Sequence, residues 1–201
     1  MPEPRTGRVR TAILISGAGS NMAALVDAAQ APGCPFEIAV VLSNRAEAGG
    51  LDIARSKGVP VAVVDHRPFG KDREAHERAL DAVLNEHGTE IVVLAGYMRL
   101  LTPWLVGRWR NRMLNIHPSL LPKYPGLDTH ARALEAGDLE AGCTVHLVTE
   151  GVDEGPILAQ ATVPVLPDDT AESLAARVLG AEHRLYPRAL ADFCRAQMRS
   201  S

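Results

Sequence analysis

The chain has 201 residues, of which 46% are hydrophobic and 22% are charged. These values are typical of a folded globular protein and exclude a disordered, collagen-like or coiled-coil chain. No run of about 18 apolar residues occurs, so a membrane-spanning helix is not expected. Lys and Arg number 21 against 24 Asp and Glu, and the formal net charge of −3 argues against a nucleic-acid partner.

Cysteine usage and the first residues both bear on the compartment. Cys34, Cys143 and Cys194 lie far apart without a C-x-x-C pair. We therefore expect reduced, mostly buried thiols rather than a disulfide framework or a zinc knuckle. The basic residues 1–10 are followed by an apolar stretch of only Ala12 to Ile15, too short for a signal-peptide core. These features predict a cytoplasmic protein.

Short apolar runs alternate with helical patterns along the chain. Strands are predicted over residues 10–15, 37–42, 59–64, 90–95, 112–117, 144–148 and 157–165. Helices are predicted over residues 21–31, 50–57 and 71–87, and a last one from about Asp169. This alternation predicts an α/β fold with a Rossmann-like, mostly parallel twisted sheet and helices on both faces.

The last predicted helix has a start signal and an internal proline. Glu172 follows Asp169 by three residues, a capping-box-like start. Pro187 lacks a backbone N–H and is expected to break or restart the helix. No internal repeat, low-complexity tract or long linker divides the chain, so we expect a single domain over residues 1–201.

A glycine-rich turn follows the first predicted strand. The sequence Ser16-Gly17-Ala18-Gly19-Ser20-Asn21 leads into a helix. Exposed backbone N–H groups and the positive end of a helix can bind an anion there without a basic side chain. Met22 replaces the third glycine of a dinucleotide fingerprint, and no G-K-[ST] sequence follows. The turn therefore indicates a site for a single phosphate, with a tight connection lacking any ligand as the alternative.

The stretch Asn115-Ile116-His117-Pro118 ends another predicted strand. Alternate side chains of a strand point the same way, so Asn115 and His117 share one face. Pro118 ends the pairing. A carboxamide and an imidazole are thus placed at the carboxyl end of a strand, where open α/β sheets bind their ligands.

Acidic residues follow the predicted strand 144–148, and we expect them at the same edge of the sheet. A carboxylate there would hold His117 in one tautomer and favour its protonated form. An amide, an imidazolium and a carboxylate suit acyl-type transfer without a covalent intermediate, because the two donors can stabilise an oxyanion. The spacing fits equally an Asn and a His that only satisfy backbone groups.

Other chemistries are less well supported by the sequence. There is no G-x-S-x-G elbow and no cysteine next to the histidine, so covalent catalysis is not indicated. His117, His130 and His146 lack the helical i, i+4 spacing of many metal ligands. We therefore expect no metal.

Four stretches occur in an order that resembles the folate-dependent formyltransferases, and among them the glycinamide ribonucleotide transformylases. They are SGAGSN at 16–21, AGYMRLL at 95–101, NIHPSLLPKYPG at 115–126 and VDEGPI at 152–157. The resemblance runs from about residue 9 to residue 195. It implies the formyltransferase fold, with a mononucleotide-binding half at about 1–100 and a catalytic, folate-binding half at about 101–201.

The resemblance also implies a reaction and its partners. A formyl group would move from the co-substrate 10-formyltetrahydrofolate to the amine of glycinamide ribonucleotide in de novo purine synthesis. The products would be formylglycinamide ribonucleotide and tetrahydrofolate. The partners would be these small molecules, with no metal, nucleic acid or membrane, and the protein would be a monomer or a homodimer.

Individual residues match the motifs of the family. Asn115, His117 and Asp153 match its catalytic set. By this resemblance His117 is the proton donor, Asn115 holds the formyl oxygen, and Asp153 favours protonated His117. The match for the ribonucleotide comprises the phosphate turn Gly19, Ser20 and Asn21 and the sugar-binding acid Glu182. The match for folate comprises Arg73 at the glutamate tail, Met98, Arg99, Leu100 and Leu101 at the pterin ring, and Asn115.

Three alternative functions share parts of this pattern. Methionyl-tRNA formyltransferases carry a further carboxyl-terminal domain and typically have Arg-Gly where this chain has Pro125-Gly126. Formyltetrahydrofolate deformylases use the same catalytic residues with water as acceptor and carry an amino-terminal domain, for which we expect no room. A non-catalytic folate- or nucleotide-binding module would be expected to lack one of the three catalytic residues.

Overall fold

The computed structural model describes residues 7–200 of the chain. The strands in this part are β1 Val9–Ile15, β2 Phe36–Ser43, β3 Val61–Val63, β4 Ile91–Leu94, β5 Met113–His117, β6 Glu140–Leu147 and β7 Ile157–Pro164. The α-helices are α1 Ser20–Ala29, α2 Gly50–Ser56, α3 Arg73–Glu86, α4 Pro103–Arg108, α5 Thr129–Glu135 and α6 Ala171–Ser200. A 3₁₀ turn, Arg67–Phe69, precedes α3.

The strands form one seven-stranded sheet in the order β3-β2-β1-β4-β5-β6-β7. The strands β1 to β5 pair in parallel, whereas β6 is antiparallel to β5 and β7 is antiparallel to β6. The predicted α/β class and mostly parallel sheet are confirmed. The antiparallel end of the sheet is the part that the alternation of strands and helices did not reveal.

Two hydrophobic clusters cover the two faces of the sheet, as predicted. One joins Ile13, Val93 and Leu114 to residues of α1, α2 and α6. The other joins the intervening strand residues, such as Leu14 and Met113, to α3 and α4. These helices cover both faces of the parallel strands, so the carboxyl edge of the sheet and its loops are left for ligands.

The short helices α4 and α5 were not predicted, because six and seven residues are too few for a periodic pattern. Contacts with α3 hold α4 in place. Glu77 Oε1 accepts the Thr102 N–H at 2.8 Å, and Asp81 Oδ1 accepts the indole N–H of Trp109 at 2.8 Å. Glu77 and Asp81 lie one helical turn apart and thereby bind both ends of α4.

Two expectations about the last helix were wrong. Pro187 neither breaks nor restarts α6, which is continuous from Ala171 to Ser200. The flanking Tyr186 and Leu190 are fully buried, and this packing offsets the roughly 3 kcal/mol that an internal proline costs. The residues that cap the start of α6 also differ from the predicted ones.

Thr170 and Ser173 cap α6, rather than Asp169 and Glu172. The Ser173 N–H donates to Thr170 Oγ1 at 3.2 Å, and the Thr170 N–H donates to Ser173 Oγ at 3.0 Å. Asp169 instead pairs with Arg177 at 2.6 Å, and this pairing holds the pKa of Asp169 well below its usual range. The reciprocal bonds of a capping box are therefore made by a serine one position later.

The thiols are free, as expected from their spacing. Cys143 and Cys194 are buried, and Cys34 is partly buried. Burial raises the pKa of both Cys143 and Cys194 to about 12, so neither is a reactive thiolate. In the part of the chain that the structure describes, no helix has the length and hydrophobicity of a membrane span.

Candidate active site

The polar face of β5 forms the centre of the site. Met113 packs against α4 on one face of the sheet, and Asn115 and His117 follow on that same face at alternate positions. His117 is buried and Asn115 is half-buried. Strand β6 and loops, rather than helices, provide their contacts, so polar side chains replace the apolar ones of the neighbouring strands.

Both ring nitrogens of His117 face hydrogen-bond acceptors. Nε2 lies 2.9 Å from the carbonyl oxygen of Tyr124, and Nδ1 lies 3.3 Å from Asp153 Oδ2. Neither oxygen carries a hydrogen when Asp153 is ionised, so only a doubly protonated ring can donate to both. The surroundings of His117 thus provide one acceptor for each ring nitrogen.

Asp153 is the carboxylate that the structure brings to His117. It also accepts the Gly126 N–H at 2.9 Å and lies 3.6 Å from His146 Nε2. Burial acts to raise the pKa of Asp153, but the His146 ring, the Gly126 N–H and the charge on His117 outweigh it and lower that pKa. Asp153 is therefore ionised at neutral pH.

The route by which Asp153 reaches His117 differs from the expected one. Because β6 is antiparallel to β5, its last residue, Leu147, lies opposite Leu114 rather than opposite His117. The loop after β6 therefore leaves near the beginning of β5, and the prediction of a shared edge was wrong. The loop turns back along the polar face, and Asp153 adopts the left-handed backbone region, with φ of 56°.

His146 is a member of the site that the sequence analysis considered only as a metal ligand. It lies opposite Asn115 in the β5–β6 register and is buried. Its Nε2 is 3.2 Å from Asn115 Nδ2. The alternation of Thr144 and His146 with apolar residues was a usable signal, but only the antiparallel register connects it to Asn115.

The loop after β5 is held at several points. The Tyr124 hydroxyl donates to Asp138 Oδ2 at 2.9 Å, and Lys123 Nζ pairs with Asp138 Oδ1 at 2.9 Å. Thr144 Oγ1 donates to the Ser119 carbonyl at 2.7 Å. These bonds position the Tyr124 carbonyl that faces His117.

The glycine-rich turn has the geometry of an anion site. Gly19 precedes α1 with φ of 75° and without a side-chain cap, so the first-turn N–H groups of Ser20 and Asn21 have no helical acceptor. A Cβ at Gly19 would lie 2.8 Å from the Gly50 Cα atom, so the close approach of α2 requires glycine here.

Glu182 of α6 lies beside this turn, although 161 residues separate it from Asn21 in sequence. Asn21 Nδ2 donates to Glu182 Oε2 at 2.6 Å, while the buried Asn21 Oδ1 has no partner among the described residues. Burial raises the pKa of Glu182, although the bond from Asn21 acts against it. The structure thus brings together all the predicted ribonucleotide residues.

The predicted folate residues follow β4 at the same carboxyl edge. Met98 and Leu100 are 71% and 64% exposed, which is unusual for large apolar side chains and leaves them free to contact a ligand. Arg99 and Leu101 are partly buried. Arg73, at the start of α3, donates to the Leu100 carbonyl at 3.4 Å and so lies beside this segment.

Ser16 connects the glycine-rich turn to the segment of residues 98–101. Its Oγ accepts the Met98 N–H at 2.9 Å and donates to Asn44 Oδ1 at 2.6 Å. The Ser16 N–H donates to the Gly96 carbonyl at 3.2 Å. One buried hydroxyl therefore fixes the ends of β1, β2 and β4 relative to one another.

A comparison with family models assigns the chain. The model described as formyl transferase matches residues 9–190. The chain belongs to the formyl transferase family. This match confirms the family indicated by the four motifs. Separately, residues 7–200 contain no group of three His, Cys, Asp or Glu side chains that could hold a metal ion.

Individual relatives are similar over most of this formyl transferase. A crystal structure of phosphoribosylglycinamide formyltransferase from Brucella melitensis is 60% identical, covers 94% of this chain and 96% of its own, and has a TM-score of 0.90. Phosphoribosylglycinamide formyltransferase of Escherichia coli (strain K12) is 43% identical over 93% of this chain and 88% of its own length. The trifunctional purine biosynthetic protein adenosine-3 of Drosophila melanogaster is 49% identical over 92% of this chain, which spans only 14% of that relative.

Proposed function

We propose that the chain acts in the cytoplasm and transfers a formyl group from 10-formyltetrahydrofolate to the amine of glycinamide ribonucleotide in purine synthesis. The single strongest support is the placement of Asn115, His117 and Asp153 on one polar face, with acceptors at both His117 nitrogens. The names of the relatives from Brucella melitensis and Escherichia coli point to the same reaction.

The chemistry follows from the groups on that face. The neutral amine attacks the formyl carbon and gives a tetrahedral oxyanion. An N–H of Asn115 and protonated His117 donate to this oxygen, and such donors act strongly where water is excluded. The amine loses a proton, and the departing folate nitrogen gains one, through His117 or a bound water. The C–N bond to folate then breaks.

Tyr124 defines where that oxygen is held. His117 Nε2 lies 2.9 Å from the Tyr124 carbonyl oxygen and donates to it. The substrate oxygen replaces this carbonyl as acceptor, while Asp153 keeps its contact with Nδ1. Because no covalent enzyme intermediate forms, much of the rate acceleration comes from holding the two substrates in register.

The two substrates meet across the carboxyl edge of the sheet. The phosphate binds at the turn before α1, and Glu182 receives the sugar of the ribonucleotide. The pterin ring binds along residues 98–101, with Arg73 at the folate glutamate. The two proposed halves, about 1–100 and about 101–201, both contribute to the ribonucleotide site, since Glu182 bonds to Asn21.

The test is an acceptor-dependence assay. The protein is incubated with 10-formyltetrahydrofolate, with and without glycinamide ribonucleotide, and release of tetrahydrofolate is followed together with the formylated ribonucleotide. We expect release only with the acceptor. Release at the same rate without acceptor would identify a deformylase, and no release in either case would contradict formyl transfer from this donor.

A further inference from the structure

The β5–β6 register places His146 directly opposite Asn115. Side chains at directly opposite positions of an antiparallel pair have their Cβ atoms only about 5 Å apart. His146 is 3% exposed, so its ring is held by the surrounding protein rather than by solvent. The pairing of β5 with β6 therefore brings these two side chains into contact.

The ring nitrogens of His146 have distinct roles that the neighbouring atoms determine. Nδ1 lies 2.9 Å from the carbonyl oxygen of Leu147, and a carbonyl can only accept, so Nδ1 carries a proton. In the neutral ring, Nε2 then offers a lone pair. That lone pair lies 3.2 Å from Asn115 Nδ2, an amide nitrogen that can only donate.

This bond decides which end of the Asn115 carboxamide faces the site. The terminal torsion of an asparagine is broad and roughly two-fold, so an unrestrained amide presents either its oxygen or its NH₂ group. By accepting one amide hydrogen, His146 fixes Nδ2 in place and leaves the second N–H free.

Asp153 does not compete strongly for the same nitrogen. Its Oδ1 lies 3.6 Å from His146 Nε2, longer than the contact with Asn115. A charged His146 ring would donate to Asp153, whereas the neutral ring has no hydrogen on Nε2 and accepts from Asn115. Oδ2 of Asp153 meanwhile serves His117 and the Gly126 N–H. The polar face thus contains two pairs: Asp153 orients His117, and His146 orients Asn115.

We propose that His146 is a positioning residue that presents an Asn115 N–H to the formyl oxygen. The inference rests on the proposed function for the identity of that oxygen. His146 itself does not touch the reacting atoms. Its removal is therefore expected to slow the chemical step while leaving the affinity for both substrates nearly unchanged.

Two variants and a double-mutant cycle measure this role. His146→Leu removes the acceptor, and we expect kcat to fall about 10- to 100-fold with less than about a threefold change in either KM. His146→Gln, whose side-chain oxygen can accept from Asn115, should recover most of the lost rate. In an Asn115→Ala background, His146→Leu should cost less than about a further twofold, because the group it orients is gone.

A second readout does not depend on turnover. In the NMR spectrum of the intact protein, the Asn115 side-chain NH₂ should exchange slowly with solvent and should shift and exchange faster in His146→Leu. His87→Leu is the matched control, because His87 Nδ1 also contacts a backbone carbonyl, that of Val83, at 2.9 Å but lies at the other edge of the sheet. It should leave both the Asn115 signals and kcat unchanged.

Several results would overturn the inference. They are an unchanged kcat in His146→Leu, an equal loss of rate when Asn115 is already alanine, or Asn115 amide signals identical to those of the wild type. If the wild-type protein fails to formylate glycinamide ribonucleotide, the proposed function fails. The NMR comparison still decides whether His146 orients Asn115.

Discussion

The turn before α1 and the polar face of β5, the two proposed ligand sites, are built in different ways. The turn offers backbone N–H groups and requires glycine at Gly19, where α2 approaches closely. The polar face uses side chains from β5, β6 and the loop after β6, with Asp153 in a strained backbone conformation. The first region is specified over a few consecutive residues, whereas the second is assembled from segments about 30 residues apart.

This difference predicts how each region responds to substitution. A backbone site is sensitive to any added side chain but indifferent to side-chain chemistry. In a site built from side chains, removing one group lowers the rate of the particular step in which that group acts. Substitutions in the two regions should therefore separate binding effects at the turn from rate effects at the polar face.

Removing either donor of the polar face should lower the rate most. We expect Asn115→Ala and His117→Ala each to reduce kcat at least about 100-fold, with little change in folate affinity, because they act on the oxyanion. Steady-state kinetics and folate binding by calorimetry provide the measurement. Near-normal turnover in both variants would contradict the assigned roles.

Substitution at the turn should affect binding instead. We expect Gly19→Ala to raise KM for the ribonucleotide about 10-fold or more, while KM for folate changes little, because the new Cβ meets Gly50 at 2.8 Å. Gly33→Ala is a matched control with the same φ of 75° but nothing within 4 Å of its Cβ. It shares the backbone strain of roughly 1–2 kcal/mol without the steric contact. Equal effects of Gly19→Ala on both substrates would refute the assignment.

Ser16 connects the turn before α1 to the proposed folate segment, residues 98–101, so its loss should affect both substrates moderately. Ser16→Ala leaves the Met98 N–H and Asn44 Oδ1 without their partner, at a cost of about 1–3 kcal/mol. We expect each KM to rise a few-fold and kcat to change less. Ser56→Ala, which removes an exposed bond to the Ile53 carbonyl, serves as the control. A change confined to one substrate would show that the two sites are independent.

Substitution of Glu182 should have the smallest effect, and that effect should be on thermal stability. Its raised pKa means that the folded state disfavours the carboxylate, so stability is greatest below the unfolded pKa and falls as pH rises through the folded pKa. Glu182→Gln keeps an acceptor for Asn21 without the charge. We expect it to raise Tm at pH 8, to have no such effect at pH 3.5, and to weaken ribonucleotide binding. Thermal unfolding at the two pH values tests the sign, and a lower Tm at pH 8 would contradict it.

The sequence was informative where local patterns decide the structure. Each predicted strand is present, and the parallel order of β1 to β5 follows from the alternation of strand and helix. The turn at Gly19 and the shared face of Asn115 and His117 follow from backbone geometry alone. The family motifs added the contribution of Glu182, which no spacing argument could connect to Asn21.

The sequence was uninformative where contacts between distant segments determine the structure. The antiparallel direction of β6 depends on how the chain returns after α5, a helix too short to recognise by periodicity. His146 becomes part of the site only through that direction, and Asp153 reaches His117 by a loop that leaves at the other end of the strand. Pro187 remains within a helix because burial on both sides outweighs a local preference.

The contacts of helix α6 bear on the order in which the protein can fold during synthesis. Its Tyr186 hydroxyl contacts the Leu94 and Leu114 carbonyls at 3.0 and 3.2 Å, bridging β4 and β5, and Glu182 lies one turn away beside the nucleotide turn. Among the described elements, α6 leaves the ribosome last. A growing chain therefore gains the Tyr186 bridge between β4 and β5, and the contact of Glu182 with Asn21, only after every other described element has been synthesised.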